Sequence, residues 1–175
     1  SGDGFGNFSN ETWELSGEGW TRLQTALSPA PRARHAMVFD GEKTVLFGGF
    51  SGSNLGDTWT LEHNTWTFVV ADGPSPRAGH AMAFDVFSNA QTSVAYRHRQ
   101  RALVIGGRNA SGTPLNDVWA LYRDELLNWS WAPLDPLPDP KWGFPAPRSG
   151  HSAVVIPADS CVLIFGGLGA DSTVE

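Results

Sequence analysis

Two motifs that recur in fixed order constrain this chain more than anything else in it. Pro31-Arg32-Ala33-Arg34-His35-Ala36 returns as Pro76-Arg77-Ala78-Gly79-His80-Ala81 and again as Pro147-Arg148-Ser149-Gly150-His151-Ser152. Downstream of each lies an apolar run closed by two glycines: Val45-Leu46-Phe47-Gly48-Gly49, Leu103-Val104-Ile105-Gly106-Gly107 and Leu163-Ile164-Phe165-Gly166-Gly167. Asp57-Thr58-Trp59 and Asp117-Val118-Trp119 follow the first two glycine pairs, and Glu11-Thr12-Trp13 is the same piece near the N-terminus without its glycines. A second Trp comes seven residues after the first in Trp20 and Trp66, and ten after it in Trp129, with Trp131 close behind. A chain that repeats itself in this way must build one structural unit several times, and each unit buries its apolar face only against its neighbours.

The period is 46 residues from Glu11 to Asp57 and 60 from Asp57 to Asp117. The excess falls in an insertion, Val86 to Arg101. A second, Pro-rich insertion runs from Ala132 to Ala146. Within one unit, the runs His35 to Phe39, Thr44 to Phe47, Thr58 to Glu62 and Thr65 to Val70 are short, rich in β-branched and aromatic residues, and bounded by Gly, Asn, Asp and Pro. Such runs predict strands, and no stretch carries a capped 3.6-residue period. Four short strands per repeat predict the blade of a propeller. The glycine pair is expected to end a strand at a sharp turn and to admit a neighbouring blade closely, since a residue without Cβ tolerates positive φ and close contact. The acidic residue before Trp59 or Trp119 is expected to fix a turn through backbone N–H groups. The Trp residues should fill the space between sheets.

These motifs resemble the kelch repeat, and the resemblance covers essentially all 175 residues. It implies an all-β fold, a β-propeller of kelch type with about three four-stranded blades. The repeat periods are about 1–49, 50–107 and 108–167, so residues 1–175 read as a segment that starts and ends inside a blade. Family propellers usually close with six or seven blades. The expected partners are therefore the remaining blades of the same propeller, supplied by the same or a second chain, together with a protein or peptide ligand.

Composition narrows the function. The net charge of −6 argues against nucleic acid, which selects a basic face. No apolar run approaches the roughly 20 residues of a spanning helix, and the single cysteine, Cys161, excludes a disulfide framework or a cysteine-rich zinc site within the chain. Phosphate-binding, dinucleotide-binding and nucleophile-elbow motifs are absent from the sequence. His35, His80 and His151 occupy equivalent positions spread around a ring, whereas metal ligands must converge on one ion. No metal, cofactor or catalytic residue is assigned.

The resemblance places Arg32, Arg34, Arg77 and Arg148 where loops enter the innermost strand, at one end of the central channel. Guanidiniums there could grip carboxylates through paired hydrogen bonds; the competing reading is a repeated ion pair that ties loops together. Arg34 stands apart, because its equivalents are Gly79 and Gly150. Arg97 and Arg99, which flank His98 in the first insertion, form a second anion-binding candidate, and Trp142 in the second insertion suggests sugar stacking. Four of eight Asn are in N-x-S/T sequons, Asn7, Asn10, Asn109 and Asn128, which points to a glycosylated chain outside the cell or on its surface, with the cytoplasm as the alternative. The leading function is a non-catalytic interaction or structural module. The alternatives are a propeller enzyme whose catalytic groups lie partly in other blades, and carbohydrate binding at a cell surface.

Overall fold

The computed structural model describes residues 7–69, 72–85, 101–123, 128–159 and 161–170. The described residues form antiparallel sheets throughout, with a 3-10 turn at Pro157–Asp159 as their only helical element. Strands β1 (Trp13–Ser16) and β2 (Gly19–Arg22) form a two-stranded sheet. Strands β3 (Ala36–Phe39), β4 (Thr44–Phe50), β5 (Asn54–Glu62) and β6 (Thr65–Val69) form a four-stranded sheet in sequence order. Strands β7 (Ala81–Asp85), β8 (Arg101–Arg108), β9 (Pro114–Arg123) and β10 (Trp129–Leu134) form a second one. Strands β11 (Ser152–Ile156) and β12 (Cys161–Phe165) complete the set as a pair.

The first strands of successive sheets touch, β3 against β7 and β7 against β11, so the sheets fan out from a common inner edge. Between β5 and β6 the turn is His63-Asn64, with φ of 46° and 60°. Two successive left-handed residues match the twist of the flanking strands.

One sheet packs on the next through the β-branched and aromatic residues that made the runs legible as strands. Val45 and Phe47 of β4 lie fully buried against Met82, Ala102, Val104, Leu121 and Trp131 of the following sheet. Phe47 meets the Trp131 ring edge-on at 5.2 Å between centroids, and the Trp131 indole N–H donates to Thr58 Oγ1 at 3.2 Å. The same contact appears one sheet earlier, where the Trp66 indole donates to Thr12 Oγ1 at 3.1 Å. Trp66 and Trp131 thus each reach back to the residue between the acid and the first Trp of the preceding repeat, and it is Trp131, not Trp129, that takes this place in β10.

Two expectations need correction. In the two four-stranded sheets the glycine pair does not end its strand: β4 continues to Phe50 and β8 to Arg108, each with a register shift across the first glycine, whereas β12 ends at Phe165 just before its pair. With φ near 60° at Gly48 and Gly106, the chain bulges and then resumes pairing. The expected close approach is there. A Cβ on Gly48 would stand 2.8 Å from the Arg77 carbonyl oxygen of the next repeat, and one on Gly106 would stand 2.9 Å from that of Arg148. The acidic residues, secondly, act chiefly on side chains rather than on turns.

Candidate functional site

The Pro-Arg-x-x-His loops run along the inner end of the sheets. Each is strapped to the preceding repeat: Gly49 N–H donates to Arg77 O at 2.9 Å, Arg77 N–H to Leu55 O at 3.0 Å, and Gly107 N–H to Arg148 O at 2.9 Å. A further chain of backbone bonds links successive loops, from Gly79 N–H to Arg34 O at 2.9 Å and from Gly150 N–H to Gly79 O at 2.7 Å. All three donor or acceptor positions are left-handed, with φ of 56° at Arg34, 66° at Gly79 and 71° at Gly150.

The structure separates the arginines. Arg32 forks onto Asp57, with Nη1 to Oδ1 and Nη2 to Oδ2 both at 2.7 Å, and its remaining donors reach Ala30 O and Gly48 O. Arg77 does the same with Asp117 at 2.6 and 2.8 Å, and with Ser75 O and Gly106 O. At 6% and 1% exposure, Arg32 and Arg77 are enclosed, and their guanidiniums are engaged by these carboxylates and carbonyls. The acid is held from its other side by the indole two residues on: Trp59 Nε1 to Asp57 at 2.6 Å and Trp119 Nε1 to Asp117 at 2.9 Å. Burial pushes both carboxyls up, but the arginine and indole donors hold them below the usual carboxylate range. Arg148 keeps the backbone anchors of this arrangement, donating to Ala146 O and Gly166 O at 3.1 and 2.9 Å.

The histidines pack against the glycine pairs. His80 is 5% exposed and meets Phe47 edge-on at 5.4 Å. Its ring lies 3.1 Å from where a Gly48 Cβ would be, and its Cβ lies 2.9 Å from the corresponding point on Gly107. Among the described residues neither ring nitrogen has a hydrogen-bond partner. The Phe47 carbonyl approaches the ring, but outside hydrogen-bond geometry. Burial, followed by the Arg77 charge, pushes its pKa down to about 3. Burial lowers His35 and His151 as well, with Arg32 and Arg148 adding to it. No group of three metal-ligating side chains occurs among the described residues.

What remains for a ligand is a cavity of about 610 Å³ at this inner end, lined by Arg34, Gly79, Arg108, Asn109 and Ser149 among others. Arg34 is exposed, and among the described residues nothing engages its guanidinium. Arg108 is held by Ser149 Oγ at 2.8 Å, Gly112 O at 2.8 Å and Gly169 O at 3.2 Å, all neutral acceptors, so its charge is uncompensated by these contacts. The sequence reading missed Arg108. Its signal was the one that marked Arg34, a basic residue breaking the repeat: the equivalents of Arg108 are Phe50 and Leu168.

The other candidates do not join this site. Arg97 and Arg99 lie outside the described residues. Trp142 is 77% exposed on the second insertion, with Lys141 Nζ 4.4 Å from its ring centroid. That loop closes on itself through paired backbone bonds between Asp139 and Gly143. Asn7, Asn10 and Asn128 are exposed; Asn109 lies at the cavity rim, where its Oδ1 accepts the N–H groups of Ser111 and Thr113 at 3.0 Å.

Four-stranded antiparallel sheets fanned around one inner edge, strapped loop to glycine pair, define a β-propeller segment. No family model matches the chain. It is 33% identical over 145 residues to an F-box/kelch-repeat protein of Arabidopsis thaliana, covering 81% of this chain and 28% of that protein. It is 30% identical over 190 residues to host cell factor 2 of Homo sapiens, covering 93% and 22%, and 29% identical over 158 residues to the flagellar outer-arm dynein alpha chain of Chlamydomonas reinhardtii, covering 85% and 3%. The chain therefore spans less than a third of each of these relatives. It belongs to the kelch-repeat family. No helix among the described residues is long and apolar enough to cross a membrane.

Proposed function

We propose that this chain is a non-catalytic protein-interaction module whose inner-end cavity receives an acidic peptide segment. The observation that carries the reading is the pair Arg34 and Arg108 on one cavity of about 610 Å³, two cations that no described carboxylate neutralises. The other repeat arginines supply the contrast, since Arg32 and Arg77 are consumed by Asp57 and Asp117. A planar guanidinium at the rim selects a carboxylate by paired hydrogen bonds, and loops on a rigid scaffold are where binding concentrates. Relatives of very different overall length match this segment, which suits an interaction module set into larger chains.

Fluorescence anisotropy with labelled decapeptides tests the reading, using peptides with two or three Glu residues and their Gln counterparts. Preference for the acidic set, with about tenfold or greater loss on Arg34→Ala, is the expected result, since a hydrogen bond to a charged group is worth about 1.5–3 kcal/mol. Equal binding of Glu and Gln peptides would remove it. The extracellular reading rests on the four sequons, of which Asn109 and at least one of Asn7 and Asn10 are the acceptors proposed here. Intact mass of the chain from its native source decides that: sugar is expected, and a bare polypeptide mass returns the chain to the cytoplasmic alternative.

A further inference from the structure

Three residues that break the repeat meet at the inner-end cavity. Arg34 stands where the other repeats have Gly79 and Gly150, Arg108 where they have Phe50 and Leu168, and Ser149 where they have Ala33 and Ala78. All three line the same cavity of about 610 Å³. Two consecutive peptide groups hold the arginines near each other. Ala78 N–H donates to Arg108 O at 3.1 Å, and Gly79 N–H donates to Arg34 O at 2.9 Å. Both arginines are thus pinned by their main chains to one turn of one loop.

Their guanidiniums differ in freedom. Arg108 is fixed from three repeats. Its carbonyl accepts from Asn54 Nδ2 at 2.9 Å, its Nε donates to Ser149 Oγ at 2.8 Å, and Nη1 and Nη2 donate to Gly112 O and Gly169 O at 2.8 and 3.2 Å. A guanidinium has five N–H donors, so Arg108 keeps one on each terminal nitrogen. Arg34 keeps all of its own, since among the described residues nothing engages it. Ser149 accepts from Arg108 and retains its hydroxyl proton. Among the described residues the cavity lining holds no Asp or Glu. The wall is therefore cationic and rich in donors that have no acceptor.

That surplus selects the anion. A carboxylate carries one charge, and its acceptor sites, about four, lie in one plane. A single guanidinium edge takes it up by two parallel bonds, which leaves the second guanidinium poorly matched. A phosphate ester carries close to two charges at pH 7 and three strong acceptor oxygens. Those oxygens are set tetrahedrally, so guanidiniums approaching from two repeats each find a pair. We propose that the acidic group this cavity receives is a phosphorylated serine or threonine of a peptide, held between Arg34 and Arg108 with the Ser149 hydroxyl as a third donor. A rigid cation and a mobile one divide the work: Arg108 is already oriented, which lowers the ordering cost of binding, and Arg34 closes on the phosphate from the rim. This rests on the acidic-peptide reading above and names the acid that the site prefers.

Four decapeptides, identical except for Ser, phosphoserine, Glu or Gln at one central position, test this by fluorescence anisotropy with the whole chain. Phosphoserine is expected to bind at least about tenfold tighter than Glu, because it adds charge-assisted bonds that a carboxylate cannot make at the same time. Arg34→Gln, at an exposed position, should cut that advantage to about threefold or less with an unchanged circular dichroism spectrum. Ser149→Ala, which installs the residue of the other two repeats, should weaken phosphoserine by about threefold or more and Glu by less. Phosphoserine no tighter than Glu, with Glu still tighter than Gln, would overturn this inference alone. Phosphoserine no tighter than Ser, with Glu no tighter than Gln, would remove the acidic-peptide reading with it. An advantage that survives Arg34→Gln in full would place the phosphate outside this cavity and overturn the assignment. Inorganic phosphate that displaces the phosphoserine peptide at the peptide's own concentration would show that the site reads the ion alone, and would overturn the peptide as its source.

Discussion

Arg77 and Asp117 form a two-toothed ion pair at 2.6 and 2.8 Å, while the backbone of Arg77 is strapped to Gly49 and Leu55 of the preceding repeat. One residue therefore fixes its own sheet through its side chain and the neighbouring sheet through its main chain. Asp117→Asn is expected to lower stability by about 3 kcal/mol, at the low end of the cost of breaking a buried pair because Asp117 keeps a 40% exposed side chain. The control is Arg22→Ala, which opens an exposed 2.9 Å contact to Glu11 and should cost far less. Urea titration of the two variants measures the difference.

Trp131 spans two sheets, so its loss uncouples them. Trp131→Ala should cost about 3–5 kcal/mol as a large cavity in a packed core. Thr58→Val keeps the shape but strands the indole N–H, and should cost about 1–3 kcal/mol. If Thr58→Val proves neutral by thermal melting, the 3.2 Å bond contributes nothing beyond packing.

His80 makes stability fall in acid. Its folded pKa lies at about 3 against an ordinary 6.5, so the folded chain refuses a proton that the unfolded chain accepts. Its contribution is complete above pH 6.5 and is lost as pH falls from there toward 3. The slope of stability from this group approaches about 1.4 kcal/mol per pH unit well inside that window. His80→Asn should be less stable at pH 7 but show a shallower decline between pH 6 and 4.5. A decline of unchanged slope would assign the effect to His35 and His151.

Arg34 sits at φ 56°, where its equivalents are glycines. A left-handed conformation costs a side-chain-bearing residue about 1–2 kcal/mol, so Arg34→Gly should stabilise the fold by about 1 kcal/mol while weakening the acidic peptide at least as much as Arg34→Ala. A variant that is neither more stable nor a weaker binder would show that the strain serves neither purpose.

Much of this was legible in the residues themselves. The repeat of Pro-Arg-x-x-His, glycine pair and acid-x-Trp gave the all-β class, the four-strand unit and the positions of the loops, because side-chain period and turn chemistry are local properties of a chain. Arg34 was legible as an exception to its own repeat. Only the tertiary structure decided which arginines are free. That Arg77 meets Asp117 depends on β9 lying beside β8 and on the preceding loop reaching it 40 residues away in sequence, and no local pattern encodes such a meeting. The same holds for the glycine pair, whose close neighbours are Arg77 and His80 of the next repeat, and for the packing of Trp131 against β4. Spacing names the residues that could pack there; which of them do is fixed by the sheet that comes to rest against them.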